Sequence, residues 1–194
     1  DFNFQNLSIL SKFLDENIFK IEKLVGYFIK DIILIIENDN NLNVNISIKK
    51  KNFINNINKK FLENSLAEIK DLFKENYQDQ TIMHVILINY IVDGQKFFLF
   101  EDNLNSDNLC LEVQFISISN ELTFIFDRLL EKYQIKISKY MCGDYIKSFF
   151  DQSDNELSVM ANKLKNGFND NEAVIIPKNT ENKGFFEKFF QLFS

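Results

Sequence analysis

Apolar positions recur with a helical period in the first segment of the chain. In LSILSKFLDENIFKIEKLVGYFI they fall at Leu10, Phe13, Leu14, Ile18, Ile21, Leu24 and Val25, the spacing of an amphipathic helix. Gly26 is placed to end that helix. DIILIIE is short, β-branched and uninterrupted, the pattern of a buried strand. NDNN then reads as a turn. LNVNISIKK alternates strictly, with Leu42, Val44, Ile46 and Ile48 on one face and Asn and Ser on the other. This is the cleanest half-buried strand in the sequence. From Asn52 to Asn76 the helical period returns, with Phe53, Ile57, Phe61, Leu62, Leu66, Ile69, Leu72 and Phe73 in one stripe.

TIMHVILINYIVDGQKFFLFE predicts a strand, a turn at Asp93-Gly94 and a second strand, because Asp-Gly between β-rich runs favours a tight hairpin. LCLEVQFISIS predicts another strand. NELTFIFDRLLEKYQ predicts a helix with Asn120 as its N-cap, and IKISKYM a short closing strand. The predicted order is α-β-β-α-β-β-β-α-β. It implies an α+β fold with a mixed, mainly antiparallel sheet and helices packed on one face. Beyond Asp151 the chain turns polar, with one short helical stretch, and KNTENKG has the composition of a linker. These changes divide the chain into an α+β domain over 1–150, a polar extension and linker over 151–182, and a short amphipathic helix over 183–194.

Composition narrows the function classes. The chain has 194 residues, 45% hydrophobic and with a formal net charge of −6, enough for one core of ordinary size. The negative balance argues against nucleic acid as a partner, since phosphate binding rests on Lys and Arg. Cys110 and Cys142 lie far apart and outside metal-ligand spacing, so reduced thiols in a cytoplasmic protein are expected. No run reaches the roughly 20 apolar residues of a membrane span, and no signal peptide is visible. The first residue is Asp1 rather than Met, which leaves room for an upstream segment.

Candidate chemistry is sparse. The five glycines, Gly26, Gly94, Gly143, Gly167 and Gly184, never cluster into a phosphate loop. His84 is the single histidine and falls inside a predicted strand, where a packing role outweighs a chemical one. Asp93 reads as a turn residue. Glu101 and Asp102 read as a solvated loop before they read as a metal site. No catalytic, cofactor-binding or metal residue is therefore expected, and the chain is not expected to be an enzyme.

HVILINYIVDGQ, from His84 to Gln95, resembles a recurring segment of the bacterial cell-division protein FtsA, the actin-like membrane tether of the division ring. That segment runs close to His-Val-Ile-Pro-Gln-x-Tyr/Phe-x-Val/Ile-Asp-Gly. His84, Val85, Ile86, Tyr90, Val92, Asp93 and Gly94 fit, and Leu87 and Ile88 replace the Pro-Gln. LEVQFISIS looks like the family's Leu-Glu-Val strand, and FIFDRLLEKYQIKI like the helix and strand after it. IEKLVGYFIKDIILII and ELSVMANKLKNGFNDNEAVIIP are similar to segments before and after. The match is to the inserted 1C domain, of strand-helix-strand-strand type. Where the family carries its Gly-rich phosphate loop and ATP-binding lobes, between Phe150 and Ser153, this chain has none. The resemblance thus implies an interaction domain without ATP, bound to division-ring proteins or to itself, at the inner face of the cytoplasmic membrane. A related scaffold domain of a pilus or secretion apparatus is the alternative.

The chain ends NKGFFEKFFQLFS. On a helical wheel Phe185, Phe186, Phe189, Phe190 and Phe193 form one stripe, with Lys183, Glu187, Lys188 and Gln191 away from it. The family carries a C-terminal amphipathic membrane-targeting helix at this place, which implies that these phenylalanines, flanked by Lys183 and Lys188, contact the membrane surface. Burying five Phe contributes roughly 8–15 kcal/mol, while ordering about ten residues costs on the order of 10 kcal/mol. One copy should therefore bind weakly and reversibly. The same stripe could instead cap the protein's own core or fill a partner's groove.

Overall fold

The computed structural model describes residues 4–37, 41–51, 57–97, 105–150 and 156–173. The fold is α+β. Its elements run α1 (Phe4–Val25), β1 (Asp31–Ile36), β2 (Leu42–Lys51), α2 (Lys59–Asn76), β3 (Gln80–Val92), β4 (Gln95–Phe97), β5 (Asn108–Ser119), α3 (Asn120–Glu131), β6 (Lys136–Cys142), α4 (Gly143–Phe149) and α5 (Leu157–Lys165). The first nine follow the predicted order. Glu101, Asp102 and the whole tail with Lys183, Phe185, Phe186, Lys188, Phe189, Phe190 and Phe193 lie outside the described residues.

The main sheet has the order β2-β5-β3-β4. β5 is antiparallel to β2 on one side, from Leu42↔Ser117 to Lys51↔Asn108, and to β3 on the other. β2, α2, β3 and β5 thus make a strand-helix-strand-strand unit with its last strand in the centre. α2 starts where the Asn58 side chain accepts a hydrogen bond from the Phe61 amide at 3.0 Å, satisfying one of the unpaired donors of a helix start. Its buried Leu62, Leu66, Ile69 and Phe73 recur at helical spacing and pack on Leu109, Leu111, Val113 and Phe115 of β5. Phe73 stacks on Phe115 with ring centroids 4.6 Å apart. Val44, Ile46 and Ile48 pack half-buried against this same core, as the alternation of β2 requires.

A second core lies on the opposite face. Ile116 and Ile118 of β5 and Met83 and Ile86 of β3 pack with Phe126, Leu129 and Leu130 of α3 and Leu14 and Ile18 of α1. Phe115 and Ile116 are neighbours in one strand, so their side chains point to opposite faces. The expectation that the helices share one face is therefore corrected: α2 covers one face, and α1 with α3 covers the other. Period-2 alternation shows which positions share a face, but β3 and the end of β5 are apolar on both. Two register shifts in β3, at Ile82/His84 and Leu87/Asn89, are bulges that reset its alternation.

β1 and β6 form a separate two-stranded parallel sheet, so the strands flanking the NDNN segment belong to different sheets. Gly143 opens α4 against the Glu37 side chain, where any Cβ would collide. α5 buries Met160, Ala161 and Leu164 against Met141 and Ile146. Residues 171–173 run along the free edge of β3: the Leu87 amide donates to Asn171 O and the Ala173 amide to Val85 O, each at 2.8 Å. The expected boundary at 150 thus falls within a packed body. Within residues 156–173, expected as a polar extension, Leu157, Met160, Ala161 and Leu164 pack into a third core.

Two sequence expectations shift by small steps. The N-cap of α3 is Ser119, whose hydroxyl accepts from the Leu122 amide at 3.2 Å. Asn120 instead ties α3 to the turn before β3 through Thr81 and Gln78 O. In α1, Leu14 and Ile18 are buried but Phe13, Leu24 and Val25 are exposed, so the apolar stripe is wider than the surface it covers.

Candidate functional site

The resemblance segment forms the middle and end of β3. Val85 packs toward α2 and Ile86 toward α3. Tyr90 and Val92 are buried on the α2 side, and Tyr90 stacks on Phe97 of β4 at 5.3 Å. Asp93 and Gly94 both have positive φ, +47° and +85°, the backbone of a type I′ two-residue turn. Val92 pairs with Gln95 across it, so the predicted hairpin is present. The Asp93 carboxylate accepts from the Asn108 amide at 3.1 Å. Hydrogen bonds, that of the Ser106 hydroxyl foremost, hold this carboxyl below its usual range. Asp93 is a turn residue that also fixes the start of β5.

His84 meets other polar groups deep in the interior. The ring is 1% exposed and joins three parts of the chain. The Cys142 amide, at the β6–α4 junction, donates to Nε2 at 2.9 Å. That bond leaves Nε2 unprotonated, so Nδ1 carries the hydrogen and donates to Glu172 Oε1 at 2.7 Å. Glu172 is itself 2% exposed. Its other oxygen accepts from the Tyr145 hydroxyl of α4 at 3.0 Å, and Asn169 Nδ2 donates to the same hydroxyl at 2.9 Å. The rings of His84 and Tyr145 lie 4.5 Å apart. Burial holds the Lys139 ammonium of β6 below its usual range, and the charge of Glu172 opposes that shift.

The chemistry of this cluster follows from its geometry. A carboxylate orienting an imidazole is the arrangement of a general base, but here a main-chain donor closes the nitrogen that would take a proton from a substrate. The cluster is a latch: it ties β3, the start of α4 and the 169–173 segment together. Burial holds the His84 pKa below its usual value, and the Glu172 hydrogen bond and charge oppose that shift. Burial also raises the Tyr145 hydroxyl pKa, with Glu172 adding to it. Sequence reasoning placed His84 in a packing role but missed Glu172, which sits 88 residues away in a polar stretch with no periodicity.

A pH dependence follows. A His whose pKa is depressed on folding stays neutral in the native state, while the unfolded chain takes up the proton near 6.5. Its contribution is complete above that value and is lost as pH falls from there toward the folded pKa. Protonated Nε2 would also face the Cys142 amide donor to donor. Because the chain has one histidine, urea midpoints between pH 7.5 and 5.5 should fall in the parent and stay nearly level in His84→Gln. Equal slopes in both would refute the assignment.

Beside the latch an open groove of about 470 Å³ is lined by Asn41, Gln114, Cys142, Asp144 and Tyr145 among others. Asn41 Nδ2 donates to Cys142 Sγ at 3.3 Å. Cys142 is buried, Cys110 is half-buried, and both are free. Among the described residues no group of three or more His, Cys, Asp or Glu could hold a metal ion, and no helix is long and apolar enough to cross a membrane.

Apolar surface is left chiefly on one element. Of the exposed large hydrophobic side chains among the described residues, seven lie between Ile9 and Phe28: Ile9, Phe13, Phe19, Leu24, Val25, Tyr27 and Phe28. No protein-family model matches the sequence, and no curated protein matches it.

Proposed function

We propose that this chain is a non-enzymatic, FtsA-like interaction module that links division-ring partners to the inner face of the cytoplasmic membrane. The observation that carries the interaction role is the concentration of exposed apolar side chains on α1 and the loop after it, a feature of surfaces that meet another surface. The buried polar cluster, by contrast, is sealed by its own hydrogen bonds. The division-ring reading rests on the His84–Gln95 resemblance and is supported by the strand-helix-strand-strand order of β2, α2, β3 and β5. The membrane reading rests on the phenylalanine stripe of the tail.

Changing Phe186 and Phe189 to Glu tests the membrane part. A charge in the apolar stripe must enter the acyl boundary or force the helix off it. At a bilayer centre this costs roughly 2.5–3.5 kcal/mol per charge, and less at an interface. Two such changes should weaken vesicle binding more than about tenfold. Liposome co-sedimentation and thermal melting are run on the same variant. Lost sedimentation with an unchanged melting temperature supports the anchor. A large drop in melting temperature, with no lipid binding by the parent, means that the tail belongs to the protein's own core. Imaging of a fluorescent fusion tests the division part: mid-cell rings are expected, and uniform membrane signal points to the pilus or secretion scaffold.

A further inference from the structure

The groove between the sheet and α4 has spent its side-chain donors and kept its acceptors. Asn43 of β2 stands opposite Ile116, and Gln114, two residues earlier on β5, shares their face of the sheet. Asp144, Tyr145 and Ser148 of α4 line the other side. The lining donors are turned back onto the chain. Asn41 Nδ2 donates to Cys142 Sγ at 3.3 Å and Asn43 Nδ2 to Asn41 O at 3.4 Å. The Ser148 hydroxyl donates to Tyr145 O at 2.9 Å, and the Tyr145 hydroxyl to Glu172 at 3.0 Å.

The acceptors are not matched in this way. Asn41 Oδ1 is buried without a hydrogen-bond partner, the sign of a site short of donors. Among the described residues no hydrogen bond or ion pair engages the Gln114 amide or the Asp144 carboxylate. Asp144 is also the charged residue of the lining, with no lysine or arginine beside it among the described residues.

We propose that this groove receives the arginine side chain of a partner polypeptide. A guanidinium carries five N–H donors in a planar fork and no acceptor, the complement of a lining rich in open acceptors. Asp144 and the shortage of donors exclude an anion. A sugar hydroxyl both donates and accepts, so its accepting side would go unmatched. A lysine ammonium is a point charge that lacks the flat fork needed to bridge Gln114 and Asp144. The methylene stem of an arginine packs on Ile116, the buried apolar member of the lining. The volume of about 470 Å³ is that of a small-ligand cleft. Because the groove is open, the backbone of its occupant stays outside, as suits a side chain carried by a polypeptide. Asp144 lies in the first turn of α4, whose N–H groups share its charge. A single arginine is therefore held weakly, with Kd on the order of millimolar. The contact is independent of the tail and of the division-ring reading.

The isotope-labelled full chain is titrated with a blocked Gly-Arg-Gly peptide and followed by amide resonances. Saturable shifts are expected at the Gln114 side-chain amide and at the Asp144 backbone amide. The same peptide with citrulline, equal in shape but uncharged, should bind at least about tenfold more weakly, and Gly-Lys-Gly should also bind more weakly. Asp144→Asn, which keeps the shape of the side chain, should weaken Gly-Arg-Gly binding at least about tenfold with the melting temperature unchanged. Gln114→Glu, which adds a second negative charge, should tighten it. No saturable shift up to about 20 mM peptide, equal binding of the citrulline peptide, or an Asp144→Asn protein that binds like the parent would each overturn the proposal. So would methylguanidinium saturating these amides while the peptide does not, which would assign the groove to a small free cation.

Discussion

Glu172→Ala is expected to lower the free energy of unfolding by about 2–6 kcal/mol, the cost of leaving two buried donors without their acceptor. Two hydrogen bonds end on its carboxylate, from His84 Nδ1 at 2.7 Å and from the Tyr145 hydroxyl at 3.0 Å. With Glu172 2% exposed, water cannot replace it without opening the structure. Each donor left unpaired costs about 1–3 kcal/mol, and Lys139 loses its opposing charge. Glu172→Gln should cost less, because an amide oxygen still accepts from Nδ1 and the amide nitrogen can donate to the Tyr145 oxygen. Urea unfolding measures the difference. Hydrogen exchange at Leu87 and Ala173, whose amides bond across the β3 edge, should accelerate in Glu172→Ala before the rest of the sheet does. A loss below about 1 kcal/mol, with these two amides still protected, would show that the 169–173 segment is held by something other than the latch.

Phe115→Ala should cost a similar amount, about 3–5 kcal/mol, through a different mechanism. Phe115 is wholly buried on the central strand β5 and carries the Phe73 ring at 4.6 Å, which in turn stacks on Tyr77 at 5.0 Å. Truncation removes the transfer free energy of the ring and leaves a cavity between α2 and the sheet that the two flanking strands cannot collapse to fill. For a chain of this size the melting temperature should drop by roughly 6–20 °C. The change should be insensitive to pH between 5.5 and 7.5, whereas the Glu172 effect should grow as pH falls, because Glu172 opposes the depression of the His84 pKa and its loss deepens it. A Phe115→Ala protein that melts within about 2 °C of the parent would mean that α2 does not pack on β5 as described.

The order of elements was legible because each local pattern agrees with the period of its own backbone. The strict alternation of Leu42, Val44, Ile46 and Ile48 marks β2, Asp93-Gly94 marks the hairpin, and Leu62, Leu66, Ile69 and Phe73 mark α2. Period and turn chemistry are short-range, acting over a few residues, so one sequence carries them. The packing of β3 was not legible, since MHVI is apolar without alternation and only the register shift between Ile82 and His84 assigns Met83 and Val85 to different cores. Nor was the role of α1: its apolar stripe is too wide for the core beneath it, and a helical wheel cannot tell covered from uncovered apolar positions.

The candidate site divides in the same way. The sequence alone determined that β3 holds a lone histidine within an apolar run, that an Asp-Gly turn closes that strand, and that the tail has an amphipathic stripe. Tertiary structure alone decided which faces the helices cover, that residues 156–173 return to close the body, and that Glu172 meets His84. The physical reason is separation along the chain: periodicity records how neighbouring residues share a face, whereas the latch joins groups 58 and 88 residues apart, whose meeting depends on how sheets, bulges and helices pack together.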